Sequence, residues 1–462
     1  MSSTAIRRPW SLIVLGLFAA SAIAPAFAGP QAPNDEDGPN VPIAEYQERR
    51  GKVLESYKDG LLVMLGSRDE EFGEFVKFRQ KNDLMYLTGA GQPDVKFLMV
   101  PGSLTADGKA REFLFLPAKN GFTSQWMGDR IGPGPEAVSR YGIAEALPAD
   151  KFQPTLMSFL KKKEGQEGPP TATKVYLNVG RRRNAPPNDE AMLADVIKKE
   201  APDVQVAGLG QALANMRKIK SEAEVALLQK AIDITGDGQR AAIKVIKPGA
   251  FEYQAQGALE GAFLFGGAER PGFFSIVGSG PNSCVLHYND NRRRMKDGDL
   301  VVIDIGAEFH YYTADITRTY PVSGKFTERQ RQVYQLVLDA QRAAEKSFEL
   351  GKSNINTLTA AARKTMRDSP LRDSQGNTLD RHFLHGLGHW LGMDVHDVGD
   401  YGGPLPVGSV FTIEPGIYLA DEQLGVRIED DYLVTEKGLV KLSAKIASDP
   451  DEIEKLMAAP RP

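Results

Sequence analysis

The chain has 462 residues, too many for one compact core at the usual domain size, so two domains are expected. Its 42% apolar and 25% charged content are those of an ordinary globular protein. The formal net charge of −4 excludes a partner chosen by bulk positive charge, nucleic acid or an anionic membrane, and the short clusters 161-KKK-163, 181-RRR-183 and 292-RRR-294 read as solvated loops.

Residues 1–28 combine Arg7 and Arg8, an apolar run 11-SLIVLGLFAASAIA-24 and the small-residue signal 26-AFA-28. This pattern predicts a secretory signal peptide cleaved near Ala28, a secreted or periplasmic location, and no stable membrane anchor. Cys284 is the only cysteine, so no disulfide framework is expected despite export. Residues 29–40, rich in Pro, Gly and acid, read as a flexible leader.

From 41 to 208 short apolar runs (61-LLVMLG-66, 96-KFLMVP-101, 112-EFLFLP-117, 174-KVYLNVG-180) alternate with helical stretches such as 43-IAEYQERRGKVLESY-57. That alternation predicts an α/β N-terminal domain with a largely buried sheet. Ser221 and Glu224 then have capping-box spacing ahead of a helical stripe at Val225, Leu228 and Ile232. The second domain is expected over 213–445, followed by a tail at 446–462.

All six histidines lie between 287 and 396, among acids set in apolar runs. Residues 300-LVVIDIGAEF-309 and 311-YYTADITRTY-320 read as two strands joined by a turn. A turn centred between Phe309 and His310 would set Asp304 directly opposite Asp315 on one face, with Cβ atoms about 5 Å apart. Two carboxylates that close need a shared proton, an arginine such as Arg318, or a metal. Residues 410-VFTIE-414 and 426-VRIED-430 suggest a second hairpin closed by 420-ADEQLG-425, with Glu414 and Glu429 facing inward. In 385-HGLGHWLG-392 the glycines argue for a loop carrying His389 rather than a helix pairing it with His385. Four sheet-borne acids with histidine form an oxygen-rich set suited to two divalent ions. Such a pair would activate water at neutral pH and polarise the carbonyl it attacks.

The ordered series 304-DIG-306, 314-ADITRT-319, 385-HGLGHWLGMDVHD-397, 414-EPG-416 and 427-RIEDD-431 resembles the pita-bread metallopeptidases, the family of aminopeptidase P, prolidase, methionine aminopeptidase and the metal-free creatinase. The resemblance covers roughly 213–445, with looser agreement of the first 200 residues, chiefly at 82-NDLMYLTG-89, with the N-terminal domain of aminopeptidase P and prolidase. It implies an α+β pita-bread catalytic domain and an Xaa-Pro aminopeptidase acting on peptides with proline second. The implied ligands of two divalent ions are Asp304, Asp315, His389, Glu414 and Glu429, with Asp315 and Glu429 bridging. Manganese is the usual ion of these relatives, and cobalt, iron or zinc would fit the same donors.

The resemblance further implies that Glu414 shuttles a proton, that His287 and His396 assist at the carbonyl and leaving nitrogen, and that His385 shapes the pocket. Arg427 would orient Glu429 or the substrate, and Tyr418 with His385 would form the wall for the proline ring. A homodimer or homotetramer is common among such relatives. Two other functions fit the same residues: an Xaa-Pro dipeptidase, which the short segment from His396 to Glu414 disfavours, and a non-catalytic peptide-binding protein, which the complete ligand set disfavours.

Overall fold

The computed structural model of the chain describes residues 40–69, 77–162, 171–179 and 188–459. The expected signal peptide, the leader as far as 39, Lys163 and the cluster 181-RRR-183 lie outside the described residues. No helix among the described residues is long and apolar enough to cross a membrane.

The N-terminal half builds a six-stranded mixed sheet in the order 145–148, 111–116, 96–100, 61–65, 174–177, 205–208. Strand Leu61–Leu65 is apolar throughout because both faces are covered. Leu62 and Met64 pack toward the helices Ile43–Ser56 and Asn82–Thr88, while Leu61 and Val63 pack with residues of the helices Phe152–Leu160 and Asp189–Glu200. Helix Glu222–Val245 opens the second half on the expected capping box, in which the Ser221 hydroxyl accepts from the Glu224 amide.

Two long hairpins follow. The first pairs Leu300–Ile305 with Ile316–Pro321 and, beyond an interruption, Ala307–Phe309 with Tyr312–Thr313. The second pairs Val410–Ile413 with Asp430–Thr435 and Gly416–Leu419 with Leu424–Arg427. Its expected hairpin form and closing segment are observed.

The first hairpin corrects the expected register. Its tight turn is His310–Tyr311, both at positive φ (47° and 74°), so Asp304 lies opposite Thr317 rather than Asp315. The shift is two residues, so Asp315 becomes a diagonal neighbour of Asp304 on the same face. Gly306 permits the interruption: a Cβ there would come within 1.7 Å of the Ala314 carbonyl oxygen.

The residues read as a tail differ as well. Helix Pro450–Ala458 buries Ile453 and Met457 in the core, an amphipathic stripe that follows directly on the last strands. The two halves meet through Arg79, which pairs with Glu308 at 3.0 Å and donates to the Met393 carbonyl at 3.0 Å.

Candidate metal centre and its cavity

Each hairpin is interrupted beside its acids: Asp315, Glu414 and Glu429 lie outside regular strand, and Asp304 lies within one. Continuing the second hairpin's register from Ile413 with Asp430 and Gly416 with Arg427 sets Glu414 against Glu429, both outside regular strand. The histidine segment joins them as an irregular extra strand: Glu414 N–H donates to the Leu387 carbonyl at 2.8 Å and Thr412 N–H to the His389 carbonyl at 3.0 Å. Gly388 allows that approach, since a Cβ there would lie 1.9 Å from the Thr412 carbonyl oxygen. The expected loop, rather than a helix, therefore carries His389.

The five residues come together. His389 Nε2 lies 3.5 Å from both Asp315 Oδ2 and Glu414 Oε1. Ligating atoms of Asp315, His389 and Glu429 all fall within 4.8 Å of one another, a spacing that one ion could satisfy. His389 Nδ1 is 3.1 Å from the Trp390 carbonyl oxygen, which only accepts, so Nδ1 is the donor there and Nε2 is the nitrogen turned to the cluster.

The donor chemistry fits divalent cations. Asp304 Oδ1, Asp315 Oδ1 and Glu429 Oε1 are buried without a hydrogen-bond partner. Burial, then the neighbouring Asp304 carboxylate, raises Asp315 well above the usual range, and burial, then Asp315, does the same to Glu429. Burial pushes Glu414 up to about 7 against the opposing pull of His389 and Arg427. Bare, this cluster of carboxylates repels itself; cations among the orphaned oxygens would remove both penalties.

One arginine organises the set. Arg427 Nη2 donates to Asp304 Oδ2 at 2.7 Å, and its Nε donates at 3.1 Å to the Thr317 hydroxyl, which donates to Glu429 Oε2 at 2.7 Å. It thus reaches Glu429 through Thr317 and Asp304 directly. Arg318, named as a possible partner of the aspartates, points the other way and pairs with buried Asp430 at 2.7 Å.

The four acids, His389 and Arg427 line a cavity of about 600 Å³, on which His287, His385 and His396 also lie. Its apolar lining comes from Phe273, Phe274, Ile276, Leu286 and Val395, residues that sequence reasoning missed; a run such as 272-GFFSI-276 carries no signal beyond apolarity. Tyr418, expected in the wall, is not among the lining residues. It is 3% exposed, and its hydroxyl is taken up behind the wall between Arg427 Nη1 at 2.9 Å and His385 Nε2 at 2.8 Å. His385 Nδ1 meets the Gly386 carbonyl at 2.8 Å, so Nδ1 carries the proton and Nε2 accepts from Tyr418. Burial and the Arg427 charge push His385 down to about 4, keeping the ring neutral. Burial, then His389 and His287, also lowers His396.

Residues 226–436 match the family model of metallopeptidase family M24, and residues 46–166 match that of the aminopeptidase P N-terminal domain. The chain is 32% identical over 458 residues to the Xaa-Pro aminopeptidase of Escherichia coli, covering 90% of this chain and 98% of that protein. It is also 32% identical over 442 residues to the Xaa-Pro aminopeptidase of Haemophilus influenzae, with the same two coverages. Among solved structures, Escherichia coli aminopeptidase P with the inhibitor Pro-Leu superposes with a TM-score of 0.79 at 30% identity, over 90% of this chain and 98% of that one.

Proposed function

The chain belongs to the aminopeptidase P branch of metallopeptidase family M24 and is a metal-dependent hydrolase, and from that premise we propose an exported two-metal enzyme that releases the N-terminal residue of peptides with proline second. The observation that carries the proposal is the convergence of Asp304, Asp315, His389, Glu414 and Glu429 on one cavity, with three of their buried oxygens unpartnered.

These five side chains would hold the ions, and Asp315 and Glu429 would serve both. Bound there, two divalent ions, manganese by family habit, would supply an activated water and polarise the scissile carbonyl. Glu414 takes the proton of the attacking water and returns it to the leaving proline nitrogen. The His287 and His396 rings, on the same cavity, donate hydrogen bonds to the carbonyl oxygen and the leaving group. An Xaa-Pro bond is a tertiary amide with no N–H, so recognition has to come from its carbonyl and from the ring. The apolar lining around Phe273 and Leu286 suits a pyrrolidine ring.

A dipeptidase must also hold a terminal carboxylate close to the metals. Arg427 is the only lysine or arginine among the lining residues, it is buried, and its donors are committed to Asp304, Thr317 and Tyr418. That favours longer peptides over dipeptides.

The segment 1–28 supports export, with a mature chain starting at Gly29; N-terminal sequencing of the native protein tests this, and a retained Met1 would refute it. Metal-depleted protein resupplied with Mn, Co or Zn and assayed on Xaa-Pro dipeptides beside Xaa-Pro tripeptides tests the activity. Tripeptide hydrolysis is expected, and activity confined to the dipeptide would contradict the assignment.

A further inference from the structure

We infer that two buried glutamines outside the cavity, Gln239 and Gln341, are positioning residues that lock the two acid-bearing hairpins at the residues next to the metal ligands. The inference rests on the two-metal reading of the site.

Gln239 lies on helix Glu222–Val245 and Gln341 on helix Glu328–Lys346; they are 1% and 0% exposed. Both helices otherwise bury mainly apolar side chains, including Leu228, Ile232 and Ala242 on one and Val337, Leu338 and Ala344 on the other. An amide in such a face is costly unless its hydrogen bonds are made.

The bonds it makes are alike in the two halves. Gln239 Nε2 donates to the carbonyls of Ile303 at 3.3 Å and Ile316 at 3.2 Å. Gln341 Nε2 donates to the carbonyls of Ile413 at 3.1 Å and Ile428 at 3.4 Å. Ile303 precedes Asp304, Ile316 follows Asp315, Ile413 precedes Glu414 and Ile428 precedes Glu429. Each amide therefore ties both arms of a hairpin at positions adjacent to two of the four carboxylates.

The orientation of each amide is fixed by a further partner. Tyr320 Oη donates to Gln239 Oε1 at 2.9 Å, which turns Nε2 toward the carbonyls. Gln341 Nε2 also reaches Asp430 Oδ2 at 3.0 Å, beside Glu429, so all three of its acceptors gather at the NH2 end while Oε1 is buried without a partner. The strands are interrupted at Asp315, Glu414 and Glu429, and a donor from the helix behind holds the residues beside them. Metal ligands must be held within about 0.5 Å of their working geometry, so a loss of this support is read at the metal.

The test is calorimetric titration of Mn²⁺ into metal-free wild-type, Gln239→Met and Gln341→Met protein, with kcat and KM on an Xaa-Pro tripeptide. Methionine keeps the length, suits the apolar surroundings and removes the donor. Each variant is expected to bind Mn²⁺ about tenfold or more weakly and to lose kcat with little change in KM. A purely structural role would lower the melting temperature and leave Mn²⁺ affinity at the wild-type value, and that result overturns the inference. Should either variant fail to fold, Tyr320→Phe, which removes only the bond orienting Gln239, is expected to weaken Mn²⁺ binding a few-fold, and wild-type affinity in it would likewise overturn the inference. If the wild type itself takes up no Mn²⁺, the two-metal reading falls and this inference with it.

Discussion

Arg427 on the second hairpin donates to Asp304 on the first at 2.7 Å, and through the Thr317 hydroxyl it also steers Glu429. One guanidinium thus fixes a carboxylate on each arm of the proposed centre, from a position where it is itself buried. Lysine has a single charged centre and no planar fork to reproduce these bonds. Arg427→Lys is expected to reduce metal affinity or kcat about 10- to 100-fold while leaving the protein folded. Metal titration together with a circular dichroism spectrum checks this, and wild-type affinity with wild-type kcat would contradict it.

Tyr418 stands between Arg427 and His385 and touches neither the cavity nor, on this account, the peptide. Tyr418→Phe removes both bonds without opening space. A loss of about 1.4 kcal/mol in orientation corresponds to roughly a tenfold lower kcat/KM. Steady-state kinetics on an Xaa-Pro tripeptide measures it; an unchanged kcat/KM would mean that His385 needs no such support.

Asp397 anchors the loop that carries His396. Its oxygens accept from Arg217 at 2.6 Å and Lys220 at 2.9 Å, and Arg217 also reaches Asp83 of the N-terminal half and Asp394 at 2.7 Å each. Burial alone would raise Asp397, but Lys220 and Arg217 outweigh it and hold the carboxyl below its usual value of 3.8. A depressed folded value contributes stability that is present above the unfolded value and lost as pH falls through the folded one. Asp397→Asn should therefore destabilise the protein at pH 7, by about 3 kcal/mol for a broken buried pair, with the deficit shrinking below pH 3.8. Denaturation curves of both proteins across that range provide the check, and a deficit independent of pH would contradict it.

Much of this site is legible in the sequence. The β-branched runs around Asp304, Asp315, Glu414 and Glu429 mark strands, and four acids inside them mark something other than a core. The register of the first hairpin is not legible. It is set by left-handed backbone at His310 and Tyr311, where no Asn-Gly or Asp-Gly announces a turn. Tyr311 is held there from the N-terminal half: its hydroxyl accepts from the Gln80 amide at 3.0 Å, and Arg79 lies over its ring. Such a contact depends on residues more than two hundred positions away, and local propensity does not report it. The face survives the error because a two-residue shift preserves alternation. The place of Tyr418 is not legible either: its hydroxyl lies behind the wall because the loop bearing His385 stands in front of it.

The measurement that bears most directly on the two-metal account is the metal content of the folded protein. Wild-type and Glu429→Gln protein would be equilibrated with Mn²⁺, freed of excess ion and analysed for metal per chain, with hydrolysis of an Xaa-Pro tripeptide followed in parallel. The account predicts two ions per wild-type chain, a deficit in the variant, and activity that disappears with the lost metal. A fully active wild type that retains no metal, or a Glu429→Gln protein with full metal content and full activity, would contradict it.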